Sequence, residues 1–238
     1  VFNLSPLVQF IAQVIIASTV ALGGWTIKYI SHPGGGGVIS LAALFPGEIS
    51  YISLTATVIW FIFLMNSINW IDGVDGLASG VGFIAFSMLA LISIMPVTYH
   101  SLTFRLALVG ASIFLAFLIW NWPPAKFYLG TTGSWTLGLF LGCCAIIGGG
   151  KIVTTLLILF IPSLDALSVI LQRLIAHRPP WQSDSVTHLH YRLLRHGFSP
   201  STISLLALFL SAAFGIVSLI IQTIHKLWPV SYTHLTLP

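Results

Sequence analysis

The chain has 238 residues, of which 57% are hydrophobic and 6% are charged, and its mean hydropathy is +1.00. Soluble domains carry about 25% charged residues, so this chain lacks the polar side chains that a soluble globular surface needs. The net charge is only +4, and four of the nine basic residues fall between 173 and 195, which argues against a nucleic-acid-binding surface. The composition therefore predicts an all-α integral membrane protein with no nucleic-acid partner.

Seven apolar runs are long enough, or nearly so, to cross a bilayer as helices, because a span needs about 20 residues. They lie at about 7–25, 51–68, 80–96, 102–120, 134–148, 152–171 and 202–225. Between the first two runs, the four glycines at 34–37 mark a turn and predict a small hairpin. Cys143 and Cys144 are adjacent in an apolar run, so they are interpreted as helix-packing residues rather than as a disulfide.

Three polar loops, at 69–79, 121–133 and 172–201, are separated from one another by two predicted crossings each. An even number of crossings returns the chain to the same side, so all three loops are expected on one membrane face. The third loop holds the densest group of basic residues, and basic loops are typical of the cytoplasmic side. The sequence therefore predicts that this face is cytoplasmic.

The segment Asn66–Ala78 reads Asn-Ser-Ile-Asn-Trp-Ile-Asp-Gly-Val-Asp-Gly-Leu-Ala and directly follows an apolar run. It contains Asp72 and Asp75, two of only four aspartates in the chain. Carboxylates at the end of a membrane helix are costly unless they have a function. Gly73 and Gly76 let the backbone bend close to a bound ion or phosphate.

This segment resembles the Asn-x-x-Asn-x-x-Asp-Gly-x-Asp-Gly-Leu-Ala signature of the polyprenyl-phosphate N-acetylhexosamine-1-phosphate transferases, membrane enzymes of glycosyl transferase family 4. Residues 121–134, with Asn-x-x-Pro-Ala-Lys and Gly-Thr-Thr-Gly-Ser, and residues 184–192, with His-Leu-His-Tyr-Arg, are similar to two further loops of the family. The resemblance covers residues 1 to about 228. The His-Leu-His-Tyr-Arg loop is more similar to the undecaprenyl-phosphate N-acetylglucosamine-1-phosphate branch than to the muramoyl-pentapeptide branch, whose loop has three consecutive histidines.

The resemblance implies transfer of an N-acetylhexosamine 1-phosphate, with N-acetylglucosamine favoured, from a UDP-sugar to polyprenyl (undecaprenyl) phosphate with release of UMP. This is the first membrane step of cell-wall or surface-glycan assembly. It implies a multi-pass protein of the bacterial inner membrane whose active site faces the cytoplasm. Mg²⁺ is the expected cofactor and Mn²⁺ the alternative, because carboxylates would repel the nucleotide sugar without a cation. A homodimer is compatible with this interpretation.

By the same resemblance, Asp72, Asp75, His188 and His190 are the candidate catalytic residues, and the two aspartates are also the candidate magnesium ligands. Arg192 would clamp phosphate with its planar guanidinium. The candidate substrate-binding residues are Asn66, Asn69, Asn121, Lys126, Gly130, Thr131 and Arg192. The two histidines lack a third matched ligand, which disfavours a zinc site.

The chain departs from the family pattern at Thr131, where the family has a magnesium-binding aspartate. A neutral hydroxyl binds magnesium more weakly than a carboxylate does. Three alternatives follow: the site recruits another carboxylate, this loop now only positions phosphate, or the protein is inactive. Tyr191 stands where many relatives have a third histidine, but its hydroxyl still donates a hydrogen bond.

The ends of the chain carry two further expectations. The family has an adjacent Asp-Asp pair upstream of the segment that resembles residues 1–6, so we expect residues 1–229 to be an N-terminally truncated transferase domain that is inactive by itself. Residues 230–238 match a translated sequencing adapter. We therefore expect this tail to pack against nothing and the last helix to end near Leu227.

Two other functions compete with the transferase hypothesis. A non-catalytic homologue that binds lipid phosphate or nucleotide sugar is favoured by Thr131. A transporter or channel is favoured by aspartates within apolar sequence, but these aspartates cluster towards one membrane face rather than at its middle.

Overall fold

The computed structural model describes residues 4–31, 38–41, 50–96, 98–148, 151–179 and 188–235. Within these ranges the helices are α1 (Pro6–Leu22), α2 (Tyr51–Ile71), α3 (Leu77–Ile94), α4 (Ser101–Asn121), α5 (Gly130–Ile147), α6 (Ile152–Ile158), α7 (Phe160–Ile175), α8 (Leu189–Arg195) and α9 (Pro200–Leu235). Strands β1 (Tyr29–Ser31) and β2 (Val38–Ser40) form an antiparallel hairpin in which Ile30 pairs with Ile39. The all-α membrane class and the small hairpin predicted from the sequence are both confirmed.

Side-chain caps explain where several helices begin. The Ser5 hydroxyl accepts a hydrogen bond from the backbone N–H of Val8, and Pro6 occupies the first turn of α1. The Ser50 hydroxyl caps α2 in the same way, and the His100 ring caps α4. Such caps satisfy N–H groups that have no partner inside the helix, so each polar residue marks the point where a connection becomes a helix.

Among the described residues, five helices are long and apolar enough to cross a membrane, namely α2, α3, α4, α5 and the first part of α9. The bent pair α6 and α7 would make a sixth span, whereas α1 has only 17 residues and falls short by length. On α4, large apolar side chains such as Leu108 and Ile113 are about half exposed. An exposed apolar surface of this kind is suited to contact with lipid chains.

The predicted run at 152–171 is not one straight helix, because the chain bends by 92° between α6 and α7. Leu159 separates the two helices. Pro162 has no N–H to donate, and a proline ring clashes with the carbonyl four residues earlier, which here belongs to Ile158, the last residue of α6. The proline therefore accounts for the break, which gives α7 a direction of its own.

The prediction that the last helix ends near Leu227 is also wrong, because α9 continues to Leu235. Pro229 lies inside this helix rather than beyond it. After Pro229, residues 230–235 contain neither glycine nor proline. Pro229 removes one backbone hydrogen bond from α9, but each residue fixed after it adds one, so the helix can continue to Leu235.

Close packing of α2 against α5 and of α3 against α4 and α9 forms the core. Fully buried side chains at its centre include Phe61 and Ile68 of α2 and Phe86 of α3. At Gly138 of α5, an added Cβ would lie 2.7 Å from the backbone oxygen of Leu64. Small residues that let helix backbones touch are typical of membrane bundles, and this contact holds the middle of α5 against the second half of α2.

Candidate functional site

A short turn between α2 and α3 lies at the centre of the candidate site. Asp72 follows the last residue of α2, and Gly76 precedes the first residue of α3. Gly76 has a φ of +76°, a left-handed conformation that glycine adopts without steric cost. The turn therefore holds Asp72 and Asp75 close to each other between two buried helices.

Asn121, the last residue of α4, attaches the second polar loop to this turn. Its buried side-chain oxygen accepts hydrogen bonds from the Gly76 N–H at 3.1 Å and from the Ser79 hydroxyl at 2.6 Å. Its side-chain nitrogen donates to the Phe127 carbonyl at 2.8 Å. Asn121 therefore fixes the position of the 121–133 loop relative to the turn between α2 and α3.

Asp75 makes a second connection between the same two loops. Its Oδ2 accepts a hydrogen bond from the Ala125 N–H at 2.9 Å. Its backbone carbonyl accepts one from the Ser204 hydroxyl of α9 at 2.7 Å. The loop after α4 therefore holds the Asp75 carboxylate, and α9 holds the Asp75 backbone.

The start of α5 contacts the same turn. The Gly130 N–H donates to the Asp72 carboxylate, and the Ser134 hydroxyl donates to the side-chain oxygen of Asn69 at 2.9 Å. Burial raises the pKa of Asp72 to about 7, although the Gly130 hydrogen bond opposes the shift. Thr131 is exposed in the first turn of α5. Asp72 is thus a carboxyl group whose negative charge is poorly compensated by the described residues.

His188, at the start of α8, belongs to a buried polar cluster of the third loop. Its Nδ1 lies 2.8 Å from Oδ2 of Asp165, which is on α7. The His188 ring also lies against Trp70, with 5.5 Å between ring centroids. The guanidinium carbon of Arg173 also lies over Trp70, 5.0 Å from the ring centroid. Because Trp70 is two residues before Asp72, this cluster attaches the third loop to the central turn.

His190 contacts the turn itself. A Cβ added to Gly73 would lie 2.5 Å from Nε2 of His190 and 2.7 Å from the Tyr191 hydroxyl. His190 is buried, and neither ring nitrogen has a hydrogen-bond partner among the described residues. Burial lowers the pKa of His190 to about 4; the charge of His188 adds to this shift and that of Asp165 opposes it. His190 is therefore neutral at pH 7.

Two predicted site residues have partners outside the central turn, and a third is exposed. Asn66 forms a reciprocal amide pair with Gln13 of α1, at 2.8 and 3.2 Å, and also donates to the Ile62 carbonyl. Lys126 is exposed and lies over Trp120, 5.3 Å from the ring centroid. Arg192 is exposed on α8. Asp184, in the same family motif, lies outside the described residues.

The donor set around the turn suits a hard cation only in part. No three His, Cys, Asp or Glu side chains come together as a metal site among the residues that the structure describes. Magnesium, however, commonly uses one or two carboxylates and completes its shell with water and substrate phosphate. Asp72 fits this role, since a cation would compensate the charge that burial disfavours.

An apolar cavity of about 140 Å³ lies beside the polar turn. Its wall is formed by the end of α2, the starts of α3 and α7, and by α8 and α9. Asp165 and His190 are its polar lining residues, and Leu206 and Leu210 of α9 are among its apolar ones. An apolar cavity therefore adjoins the polar loops.

Several residues that contact the predicted site residues were absent from that prediction, and Asp165 and Gln13 are two of them. The sequence does indicate that Asp165 has a partner or a function, because a single carboxylate within an apolar helix is costly without one. Gln13 gave a weaker signal as an amide in α1, and its partner Asn66 is 53 positions away.

Comparison with known proteins agrees with the predicted resemblance. The model of glycosyl transferase family 4 matches residues 1–149. A probable undecaprenyl-phosphate N-acetylglucosaminyl 1-phosphate transferase of Bacillus subtilis is 29% identical over 233 residues, covering 95% of this chain and 62% of the relative. The decaprenyl-phosphate N-acetylglucosaminephosphotransferase of Mycolicibacterium smegmatis is 30% identical, covering 83% of this chain and 53% of the relative.

A second kind of relative is also similar to this chain. The phospho-N-acetylmuramoyl-pentapeptide-transferase of Staphylococcus carnosus is 34% identical over 164 residues, covering 69% of this chain and 50% of the relative. The chain thus spans about half to two thirds of the length of these curated relatives.

Proposed function

We propose an activity for this chain on the premise that it belongs to glycosyl transferase family 4, whose model matches residues 1–149. The protein that contains this chain transfers N-acetylglucosamine 1-phosphate from a UDP-sugar to polyprenyl phosphate and releases UMP. The observation that carries the proposal is the meeting of the three motif loops at the 72–76 turn, beside an apolar cavity.

The reaction needs one phosphorus–oxygen bond to form and another to break. An oxygen of the polyprenyl phosphate attacks the β-phosphorus of the UDP-sugar, and the bond from that phosphorus to the α–β bridging oxygen breaks. The bridging oxygen and its electron pair leave with UMP. The sugar stays attached to the β-phosphate, which becomes the second phosphate of the lipid product.

The chain's own residues divide the work between charge and position. Asp72 and Asp75 are the proposed ligands of Mg²⁺, with Mn²⁺ as the alternative. When bound, the cation neutralises charge on the diphosphate as it breaks. Asn121 fixes the loop that carries Lys126, and an exposed lysine there supplies a positive charge for the incoming nucleotide. The exposed Arg192 supplies a second positive charge from α8.

The histidines lie deeper than these basic residues. His188 and His190 are buried next to the turn, where the diphosphate would meet the acceptor. We assign Asn69, Gly130 and Thr131 to the wall that faces the nucleotide. Asn69 is bonded to Ser134 near the start of α5, and the backbone of Gly130, the first residue of α5, is bonded to the Asp72 carboxylate. Thr131 is the next residue of that helix.

The apolar cavity supplies a place for the isoprene units nearest the acceptor phosphate. Its lining is almost wholly apolar apart from Asp165 and His190. Polyprenyl phosphate has a charged head and an apolar tail, so it needs apolar and polar surfaces that adjoin. This arrangement supports a reaction at the membrane surface, which we propose is the cytoplasmic one because cytoplasmic loops are typically basic and the third loop is.

A second candidate function rests on Thr131. Residue 131 is a threonine where the family has an aspartate. In addition, no three potential metal-binding side chains come together in the described part of the chain. A homologue that binds lipid phosphate or nucleotide sugar without turnover would satisfy both observations. Measured UMP release separates this function from the transferase.

The experiment compares two neighbouring leucines of α9 in the full-length gene product. Leu206 lines the cavity and Leu205 does not, although the two side chains are similarly exposed, at 43% and 56%. We expect Leu206→Trp to raise the KM for undecaprenyl phosphate about tenfold, through loss of roughly 1.4 kcal/mol of binding, with the KM for UDP-N-acetylglucosamine unchanged.

Leu205→Trp is the matched control and is expected to behave like the unmodified protein. Equal effects of the two substitutions would contradict the assignment of the cavity to the acceptor lipid. An unmodified protein that binds both substrates and releases no UMP would support the non-catalytic function.

A further inference from the structure

Asp165 is a buried carboxylate within the apolar helix α7 and is 7% exposed. Both of its oxygens have partners on the third loop. Oδ2 lies 2.8 Å from Nδ1 of His188, and Oδ1 accepts a hydrogen bond from the Leu189 N–H at 2.8 Å. One side chain therefore holds both the ring of His188 and the first backbone N–H of α8.

These two contacts determine which nitrogen of His188 carries hydrogen. An ionised carboxylate only accepts hydrogen bonds, so Nδ1 of His188 must be the donor. Nε2 is then the ring nitrogen left for another group.

The surroundings leave the His188 ring little freedom to turn. Trp70 lies on it at 5.5 Å, and His190 is stacked at 5.8 Å with 13° between ring planes. Asp165 itself is placed by the 92° bend that precedes it, since α7 would follow another direction if it continued α6.

We propose that Asp165 is a positioning residue for the transfer reaction, which fixes the orientation and tautomer of His188 so that Nε2 meets the substrate. This inference rests on the proposed function. It gives the break between α6 and α7 a role, because the break brings a carboxylate of the bundle to the histidine loop.

The first test reads the tautomer directly and needs no turnover. Protein with ¹⁵N-labelled histidine is studied by long-range ¹⁵N–¹H correlation at about pH 8.5, where an ordinary imidazole is neutral, and the His188 signals are assigned with His188→Gln. We expect hydrogen on Nδ1. Asp165→Asn keeps the shape and can still accept from Leu189, but its amide can donate to Nδ1, so hydrogen should move to Nε2.

Hydrogen on Nε2 alone in the unmodified protein would overturn the proposal, as would an unchanged tautomer in Asp165→Asn. These results do not depend on activity. A protein with the expected tautomer and no transfer would therefore contradict the proposed function and leave the placement of His188 intact.

The second test is a double-mutant cycle in the full-length gene product. We expect Asp165→Asn to lower kcat about 100-fold, as is typical for loss of one positioned proton-transfer group, with little change in the KM for UDP-N-acetylglucosamine. In the His188→Gln background the same substitution should have almost no further effect, because residues that act through one another are not additive.

Ser168→Ala is the control, because the Ser168 hydroxyl donates to the Asp165 backbone carbonyl rather than to its carboxylate. It should keep the kcat of the unmodified enzyme. Independent, multiplying losses from Asp165→Asn and His188→Gln would show that Asp165 does not act through His188 and would overturn the proposal.

Discussion

The neutral, buried His190 should make the protein lose stability on mild acidification. Burial lowers the pKa of His190 to about 4, against about 6.5 for an unfolded histidine. The unfolded state therefore binds the proton more strongly, so this contribution to stability is complete above pH 6.5 and falls as the pH drops towards 4. Between about pH 7.5 and 5, the difference amounts to about 2 kcal/mol.

The assay is thermal unfolding in detergent, followed by tryptophan fluorescence. For a chain of this size, about 2 kcal/mol corresponds to a fall of roughly 4–8 °C in Tm. In His190→Gln, the acid-induced fall should be smaller by that amount, whatever the substitution does to Tm at pH 7.5. His196 is exposed, so His196→Gln is the matched control and should keep the full fall. An equal fall in His190→Gln and the unmodified protein would refute the reasoning.

Three further predictions concern the contacts of the central turn. Gly73→Ala should cost about 1–3 kcal/mol, because the new Cβ would meet His190 and Tyr191; an unchanged Tm would show that α8 does not dock there. Asn121→Ala should speed tryptic cleavage after Lys126, since the loop loses its bond to Phe127, and unaltered proteolysis would contradict that role. Thr131→Asp should tighten the magnesium dependence of UMP release, because an ionised carboxylate attracts the cation more strongly than a hydroxyl does. Identical magnesium curves would place residue 131 outside the metal shell.

The sequence predicted which loops would meet because crossing number is a simple count over strongly apolar runs. The 69–79 and 121–133 loops do meet, through Asp75 with Ala125 and Gly76 with Asn121. The third loop also reaches the turn, through His190 and Gly73. The 92° bend after Ile158 was missed, since hydropathy alone continues smoothly past Pro162.

Individual side-chain roles were harder to predict than loop positions. Asn66 carries the family motif, yet its amide is paired with Gln13 inside the bundle. A motif specifies residue types, whereas the partner of each polar group depends on how distant helices pack. For the same reason Asp165 could be recognised as costly in an apolar helix but could not be assigned to His188.

The most direct test of the proposed activity follows the β-phosphate of the donor. UDP-N-acetylglucosamine labelled with ³²P at the β-phosphate is incubated with magnesium, undecaprenyl phosphate and the full-length gene product, and the lipid and aqueous phases are then separated. Transfer of the sugar 1-phosphate predicts label in the lipid phase, unlabelled UMP in the aqueous phase, and loss of both with Asp72→Asn. Label that stays in the aqueous phase as UDP would contradict the account, because it would mean that the sugar moves without its phosphate.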